Sequence, residues 1–141
     1  TFLDLGCGYG VIACALATTQ PAARVWAVDV NERALSLCDD NAASLGLRDR
    51  VRPARPADVP ADVTFDEIWS NPPIRIGKLA LHELLLAWLP RLEPGGRAVI
   101  VVAKFLGADS LQRWIAEQGF ACTRLGSAKG FRVLQARRSD G

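Results

Sequence analysis

Three glycines stand at alternate positions in Asp4-Leu5-Gly6-Cys7-Gly8-Tyr9-Gly10, between the apolar run Phe2–Leu5 and the small apolar residues of Val11–Thr18. An apolar strand feeding a glycine-rich turn and then a helix is the opening of an open α/β sheet. Residues without Cβ let the backbone turn sharply and lie against a ligand. The spacing here is GxGxG. A dinucleotide fingerprint reads GxGxxG and aims the helix N-terminus at a pyrophosphate, so this loop suits a ligand that presents no phosphate there.

The rest of the chain repeats the alternation of strand and helix. Pro21 stops the first helix, and Arg24–Asp29 reads as a second strand, apolar on both faces as parallel strands are. Asn31 is a good N-cap for a helix running to Leu45 and closed by Gly46. Val51–Ala54 is a weak third strand interrupted by Pro53, followed by loop to Asp62, and Phe65–Ser70 is a fourth strand that delivers Asn71-Pro72-Pro73. Lys78–Leu92 has helical spacing, with Leu81, Leu85, Trp88 and Leu92 on one face. Glu93–Gly96 reads as a turn, Arg97–Ala103 as a fifth strand and Ser110–Gln118 as a helix. Ala121–Leu125 and Phe131–Ala136 then form a hairpin around Lys129-Gly130. The pattern predicts an α/β, Rossmann-like, doubly wound and mostly parallel seven-stranded sheet with a C-terminal antiparallel hairpin. Ligands in such sheets sit at the carboxyl ends of the strands, where the glycine loop, Asp29 and Asn71 all fall.

The 141 residues carry no internal repeat, linker or low-complexity tract, so residues 1–141 are expected to be a single domain. The chain has no Met and opens on Thr1 within a strand, and the expectation is a fragment lacking upstream elements. Its longest apolar helix candidate, Leu79 to Leu92, is too short to span a bilayer and contains His82, Glu83 and Pro90, which gives no membrane partner. Cys7, Cys14, Cys38 and Cys122 lack CxxC spacing and read as small buried residues in a reducing, cytoplasmic compartment. No cluster of His, Cys and carboxylates has metal spacing, so no metal is expected, and there is no Walker-type loop. His82 is the sole histidine and lies within a helix, where packing is a better account than a triad base. Trp26, Trp69, Trp88 and Trp114 sit in core elements and read as packing.

Charge divides the chain. Residues 1–70 carry 6 Lys/Arg against 10 Asp/Glu, and residues 71–141 carry 11 against 5, so the second half is basic enough to meet an anionic partner, nucleic acid first among them. Lys104, Lys129, Arg132, Arg137 and Arg138 each read singly as solvated charge and together could extend a phosphate-binding surface, while Arg75 and Lys78 follow Asn71-Pro72-Pro73 and could meet phosphates there.

Asp29 ends the second strand 23 residues after Gly6, where a carboxylate can accept both hydroxyls of a ribose. Asp4–Gly10 and Val28-Asp29-Val30-Asn31 resemble the first two motifs of class I S-adenosyl-methionine-dependent methyltransferases. The resemblance implies that Gly6, Cys7 and Gly8 border the methionine part of S-adenosyl-L-methionine and that Asp4 positions its amino group. Asp29 would hold the ribose and Val30 would flank the adenine. The family's acid after the third strand, which contacts the adenine amine, has Asp58 as its candidate here.

The nitrogen of a planar NH2 group is a poor nucleophile because its lone pair is delocalised. Two acceptors, the Asn71 side-chain oxygen and the Pro72 carbonyl, can hold its two N–H bonds, tilt the lone pair toward the methyl and stabilise the charge that develops. The prolines stiffen the loop. Asn71 and Pro72 are therefore the catalytic candidates, with Pro73, Ile74 and Arg75 placed at the substrate. The longer string Asn71-Pro72-Pro73-Ile74-Arg75-Ile76-Gly77-Lys78, with His82 and Lys129-Gly130-Phe131-Arg132-Val133-Leu134, is similar to the methyltransferase-small family near the ribosomal small-subunit enzymes. This implies methylation of the guanine exocyclic amine in RNA, with the small ribosomal subunit or its RNA as partner. Methylation of an adenine amine or a protein glutamine is the alternative, disfavoured because Ile74 stands where those enzymes place an aromatic. A non-catalytic RNA-binding relative is the third reading, disfavoured because the glycines, Asp29 and Asn71 are all kept.

Overall fold

The computed structural model describes residues 1–73 and 76–138. They form two compact units, Thr1–Thr64 and Phe65 onward. Seven strands make a mostly parallel sheet that ends in an antiparallel pair, as the alternation predicts.

In the first unit, β1 (Phe2–Leu5), β2 (Val25–Val28) and β3 (Val51–Ala54) run parallel, with Asp4 opposite Ala27 and Val28 opposite Ala54. Leu3, Val25, Ala27, Val28 and Val51 are buried, the apolar content expected of parallel strands covered by helices. The helix α1 (Val11–Thr19) buries Ala13, Cys14, Leu16 and Ala17, small enough for a close approach to the strands. Arg50 meets one of its C-terminal carbonyls, the guanidinium donating to Ala17 O at 2.9 Å and, beyond the helix, to Ala23 O at 3.2 Å. The helix α2 (Glu32–Ser44) is capped as expected, Asn31 Oδ1 accepting from Ala34 N–H at 3.1 Å.

In the second unit, β4 (Phe65–Ser70) runs parallel to β5 (Leu92–Ala103), and β5 pairs antiparallel with β7 (Phe131–Arg137), which pairs with β6 (Ala121–Ala128). Phe65, Ile68, Leu92, Ile100 and Leu134 are buried in it, with Leu81 and Leu85 of α3 (Lys78–Trp88) and Ile115 of α4 (Ala108–Glu117). Pro90 shortens α3, and a 3-10 turn over Leu89–Arg91 completes it. The strand β5 begins five residues earlier than the sequence suggests. Leu92 already pairs with Phe65, and the chain then makes an excursion before Arg97 pairs with Glu67. Gly96 sits at the neck of that excursion, where a Cβ would lie 2.8 Å from Glu93 O and 3.0 Å from Asp66 O. Arg138 closes it, its N–H bonding Gly96 O at 3.0 Å and its carbonyl accepting from Gly95 N–H at 3.2 Å.

Candidate functional site

The loop after β1 turns through Gly6, Gly8 and Gly10, all at positive φ. At Gly10 the requirement is also steric, since a Cβ would lie 2.5 Å from Cys38 Sγ on α2. Four of the loop's own donors are spent inside the protein. Gly6 and Cys7 N–H both reach Val28 O, at 2.8 and 2.9 Å, Gly8 N–H reaches Asp29 Oδ2 at 2.9 Å, and Gly10 N–H reaches Cys7 O at 2.9 Å. One donor of the first turn of α1 is taken as well, because Asp4 Oδ2 accepts from Ala13 N–H at 3.0 Å. A loop whose amides bind its own chain makes a poor nest for a phosphate, as the GxGxG spacing suggests.

Asp4 is 1 % exposed, and burial raises its pKa to about 7; the Ala13 N–H opposes the rise and the Asp29 carboxylate adds to it. A buried acid with so high a pKa gains from a cation placed beside it. Asp29 is half-buried at the end of β2, and its second oxygen, Oδ1, accepts from Asn31 N–H at 2.9 Å. Each carboxylate oxygen has two lone pairs, so one remains on each for a ligand donor. Val30, directly after it, is 81 % exposed, an apolar side chain with a face to offer a flat ring. Asp58 ends a 3-10 turn over Pro56–Asp58, after β3, and is exposed. Its neighbour Arg55 is engaged by Glu32. No Cβ placed on Gly6 or Gly8 would meet anything within 4 Å, which leaves open space over the loop.

Cys7 is buried, its thiol donating to Gly8 O at 3.4 Å, and the neighbouring Cys38 thiol with burial pushes the Cys7 pKa up. Asn41 of α2 also holds the loop, its Nδ2 donating to Tyr9 O at 2.9 Å. Neither Cys38 nor Asn41 was among the expected site residues, since only the packing of α2 on the loop reveals them. All four cysteines are free; Cys122, read from sequence as buried, is half-buried on β6.

In the second unit, Ser70 is buried at the end of β4 and the chain then turns outward. Asn71 is exposed with no hydrogen-bond partner among the described residues, Pro72 is buried and Pro73 is exposed. Ile76 N–H donates to Pro73 O at 3.1 Å. Ile74 and Arg75, expected at the substrate, lie outside the described residues. His82 packs as expected, stacked on Trp114 with ring centroids 3.8 Å apart and planes 7° from parallel. The other tryptophans are likewise engaged internally: Trp26 under Arg52, Trp88 under Arg91, and Trp69 donating to Glu67 Oε1 at 2.8 Å.

The five basic residues that the sequence offers as a phosphate-binding surface divide between the two ends of β7. Lys104 and Lys129 lie where β5 ends and the β6–β7 hairpin turns, with Arg132 two residues into β7. Arg137, the last residue of β7, stands opposite Arg97, and Arg138 donates to the carbonyls of Pro90 and Leu92. A single surface through all five, one sequence reading, is not what the fold makes. Among the described residues no group of three or more His, Cys, Asp or Glu could hold a metal, and no helix is long and apolar enough to cross a membrane.

Residues 1–135 match the family model of the methyltransferase small domain. The chain is 36% identical over 121 residues to a ribosomal protein L11 methyltransferase of Methylococcus capsulatus, covering 84% of this chain and 38% of that one. It is 34% identical over 142 residues to the ribosomal RNA small subunit methyltransferase C of Pseudomonas aeruginosa, covering 97% and 41%. The T. thermophilus 16S rRNA N2 G1207 methyltransferase, solved in complex with AdoMet and guanosine, superposes with a TM-score of 0.81 at 26% identity, over 97% of this chain and 37% of that one. The chain thus spans about two fifths of the length of these relatives.

Proposed function

The chain belongs to the methyltransferase small-domain family, and from that footing we propose that it methylates the exocyclic amine of guanine in RNA, with small-subunit ribosomal RNA as the substrate. Its cofactor is S-adenosyl-L-methionine, which supplies an electrophilic methyl group on a sulfonium. The observation that carries the cofactor's placement is the pairing of the glycine loop with Asp29. That carboxylate is already oriented by Gly8 and Asn31 and keeps a free lone pair on each oxygen for the ribose hydroxyls. Asp4 sits buried with a raised pKa and would pair with the methionine ammonium. The open space over Gly6 and Gly8 would take the methionine chain, with Val30 against the adenine and Asp58 near its amine.

Asn71 and Pro72 carry the acceptor side of the proposal. The side-chain oxygen of Asn71, free of partners among the described residues, and the Pro72 carbonyl would each accept one N–H of the amine. That pair of bonds orients the nitrogen lone pair and stabilises the positive charge that grows as the new C–N bond forms. The amine's proton then leaves to water, so positioning matters more than a strong base. Pro73, Ile74 and Arg75 would border the base, which must leave its stack to be reached. Likeness to the small-subunit RNA enzymes over nearly the whole chain favours RNA, while likeness to the L11 enzyme keeps a protein acceptor as the second reading. Incubating undermethylated ribosomal particles with the protein and methyl-labelled cofactor, then separating RNA from protein, tests this. Label in the RNA of the small subunit is expected; label confined to protein would replace this reading with the second.

A further inference from the structure

Two lysines and one aromatic ring gather at the end of the second unit's strands that also carries Asn71. Ser70, the last residue of β4, stands opposite Ile100 in the parallel strand β5, so both strands leave the sheet toward the same edge, one into Asn71 and the other into Lys104. The antiparallel hairpin turns at this edge too. Ala103 stands opposite Phe131, and Lys104 N–H donates to Gly130 O at 2.7 Å, which sets Lys104 beside the turn residue Lys129. Phe105 follows Lys104 and is 74 % exposed. Both lysines are exposed and have no ion-pair partner among the described residues. Asp109, which lines one small concavity with Lys104 and Arg132, is engaged by Arg132 at 3.5 Å.

One of these residues, Lys129, breaks a local rule with no packing gain. The two-residue turn between β6 and β7 has positive φ at both positions, 45° at Lys129 and 85° at Gly130, where the first position ordinarily takes Asn, Asp or Gly. Departures of this kind concentrate where function requires them. Phe105 presents a phenyl ring to solvent directly beside Lys104.

We propose that Lys104, Phe105 and Lys129 form a platform for the single-stranded RNA that flanks the target base, with phosphates against the two lysines and one base stacked on the Phe105 ring. The platform rests on the RNA reading above and narrows it. A strand with its target base extruded presents neighbouring bases unstacked, and single-stranded binding surfaces combine cations along the backbone with aromatic rings under the bases. Arg137 and Arg138 are not part of it. Arg137 lies six residues along β7 from Phe131, about 20 Å at strand spacing, and Arg138 is committed to backbone carbonyls.

Fluorescence anisotropy of a short labelled RNA of mixed sequence, titrated with the protein at several salt concentrations, tests the platform. The double variant Lys104→Glu, Lys129→Glu should weaken binding roughly tenfold or more and lower the salt slope by about 1.4, the value for two single-strand phosphate contacts. Phe105→Ala should cost about tenfold, Phe105→Tyr should restore most of it and Phe105→Leu should not, because stacking and not apolar bulk is at issue. Arg137→Glu should change affinity by less than about twofold, and all variants should still bind S-adenosyl-homocysteine, which shows that they are folded. If the wild-type protein methylates RNA but the Lys104, Phe105 and Lys129 variants bind it as the wild type does, the platform is wrong and the RNA reading stands. The same holds if Arg137→Glu loses as much as they do. If the wild type neither binds nor labels RNA, both fall together.

Discussion

Gly8 donates its backbone N–H to the Asp29 carboxylate at 2.9 Å, so the turn after β1 and the acid at the end of β2 are held as one piece before any ligand arrives. Asn31 N–H fixes the other carboxylate oxygen at the same distance. Removing the acid therefore removes both the ribose acceptor and the tether of the loop. Asp29→Ala should weaken cofactor binding by about 100-fold or more, on the basis of hydrogen bonds to a charged group at roughly 1.5–3 kcal/mol each. Calorimetry with S-adenosyl-homocysteine measures it, and Asp29→Asn, which keeps one acceptor, should fall between.

Asp4 makes stability depend on pH in a direction opposite to that of a surface carboxylate. Its pKa rises from 3.8 to about 7 in the folded chain, chiefly through burial, so the native state holds the proton more tightly than the unfolded chain does. The stability this gives is fully present below pH 4 and is lost as pH climbs through 7, on the order of 4 kcal/mol in full. Urea denaturation of Asp4→Asn should lack that loss between pH 5 and 8 and should leave the variant more stable than the wild type at pH 8. The same variant should bind cofactor more weakly at pH 8, because the neutral amide offers no charge to the methionine ammonium. A variant that keeps the wild-type pH dependence would show that Asp4 does not titrate in this window.

Gly10 is bound by both conformation and space. At φ 95° with Cys38 Sγ 2.5 Å from where a Cβ would sit, Gly10→Ala combines left-handed strain with overpacking. It should cost about 2–4 kcal/mol in chemical denaturation. Adding Cys38→Ala should recover the overpacking part alone, a coupling of about 1–2 kcal/mol between the two sites. Simple additivity would mean that α2 does not press on the loop at that point.

Asn71→Ala should separate chemistry from cofactor binding. The expected loss is about 100- to 1000-fold in kcat, the scale for removing one acceptor or donor aimed at developing charge. Cofactor affinity should be unchanged within about twofold, in contrast to Asp29→Ala. Wild-type turnover at saturating cofactor and acceptor would remove Asn71 from the acceptor site.

The residues that chain-local patterns encode were legible before the fold was known. Gly6, Gly8, Gly10 and Asp29 follow from a strand, a turn and a second strand, and the Asn31 cap follows from its position before a helical run. What could not be read depends on contacts between distant segments. Cys38 lies under Gly10 from 28 residues away, and nothing local signals it. Glu93–Gly96 carries turn residues and reads as a turn, yet β5 starts at Leu92 because Phe65 pairs with it before the excursion. Lys104, Lys129, Arg132, Arg137 and Arg138 share a sign, and only the register that sets Ala103 against Phe131 and Arg97 against Arg137 sorts them to two ends. Phe105 follows a strongly apolar strand and no chain-local pattern marks it out; the 3-10 turn over Lys104–Leu106 carries it to 74 % exposure.

The most direct test of the acceptor chemistry is the identity of the methylated nucleoside. Undermethylated small ribosomal subunits are treated with the protein and labelled S-adenosyl-L-methionine, the RNA is digested to nucleosides, and the label is assigned by chromatography and mass spectrometry. Guanosine carrying the methyl on its exocyclic amine is the predicted product. Label in methyladenosine, or on a ring nitrogen or ribose oxygen of any nucleoside, would contradict the account of Asn71 and Pro72 as acceptors for the guanine amine.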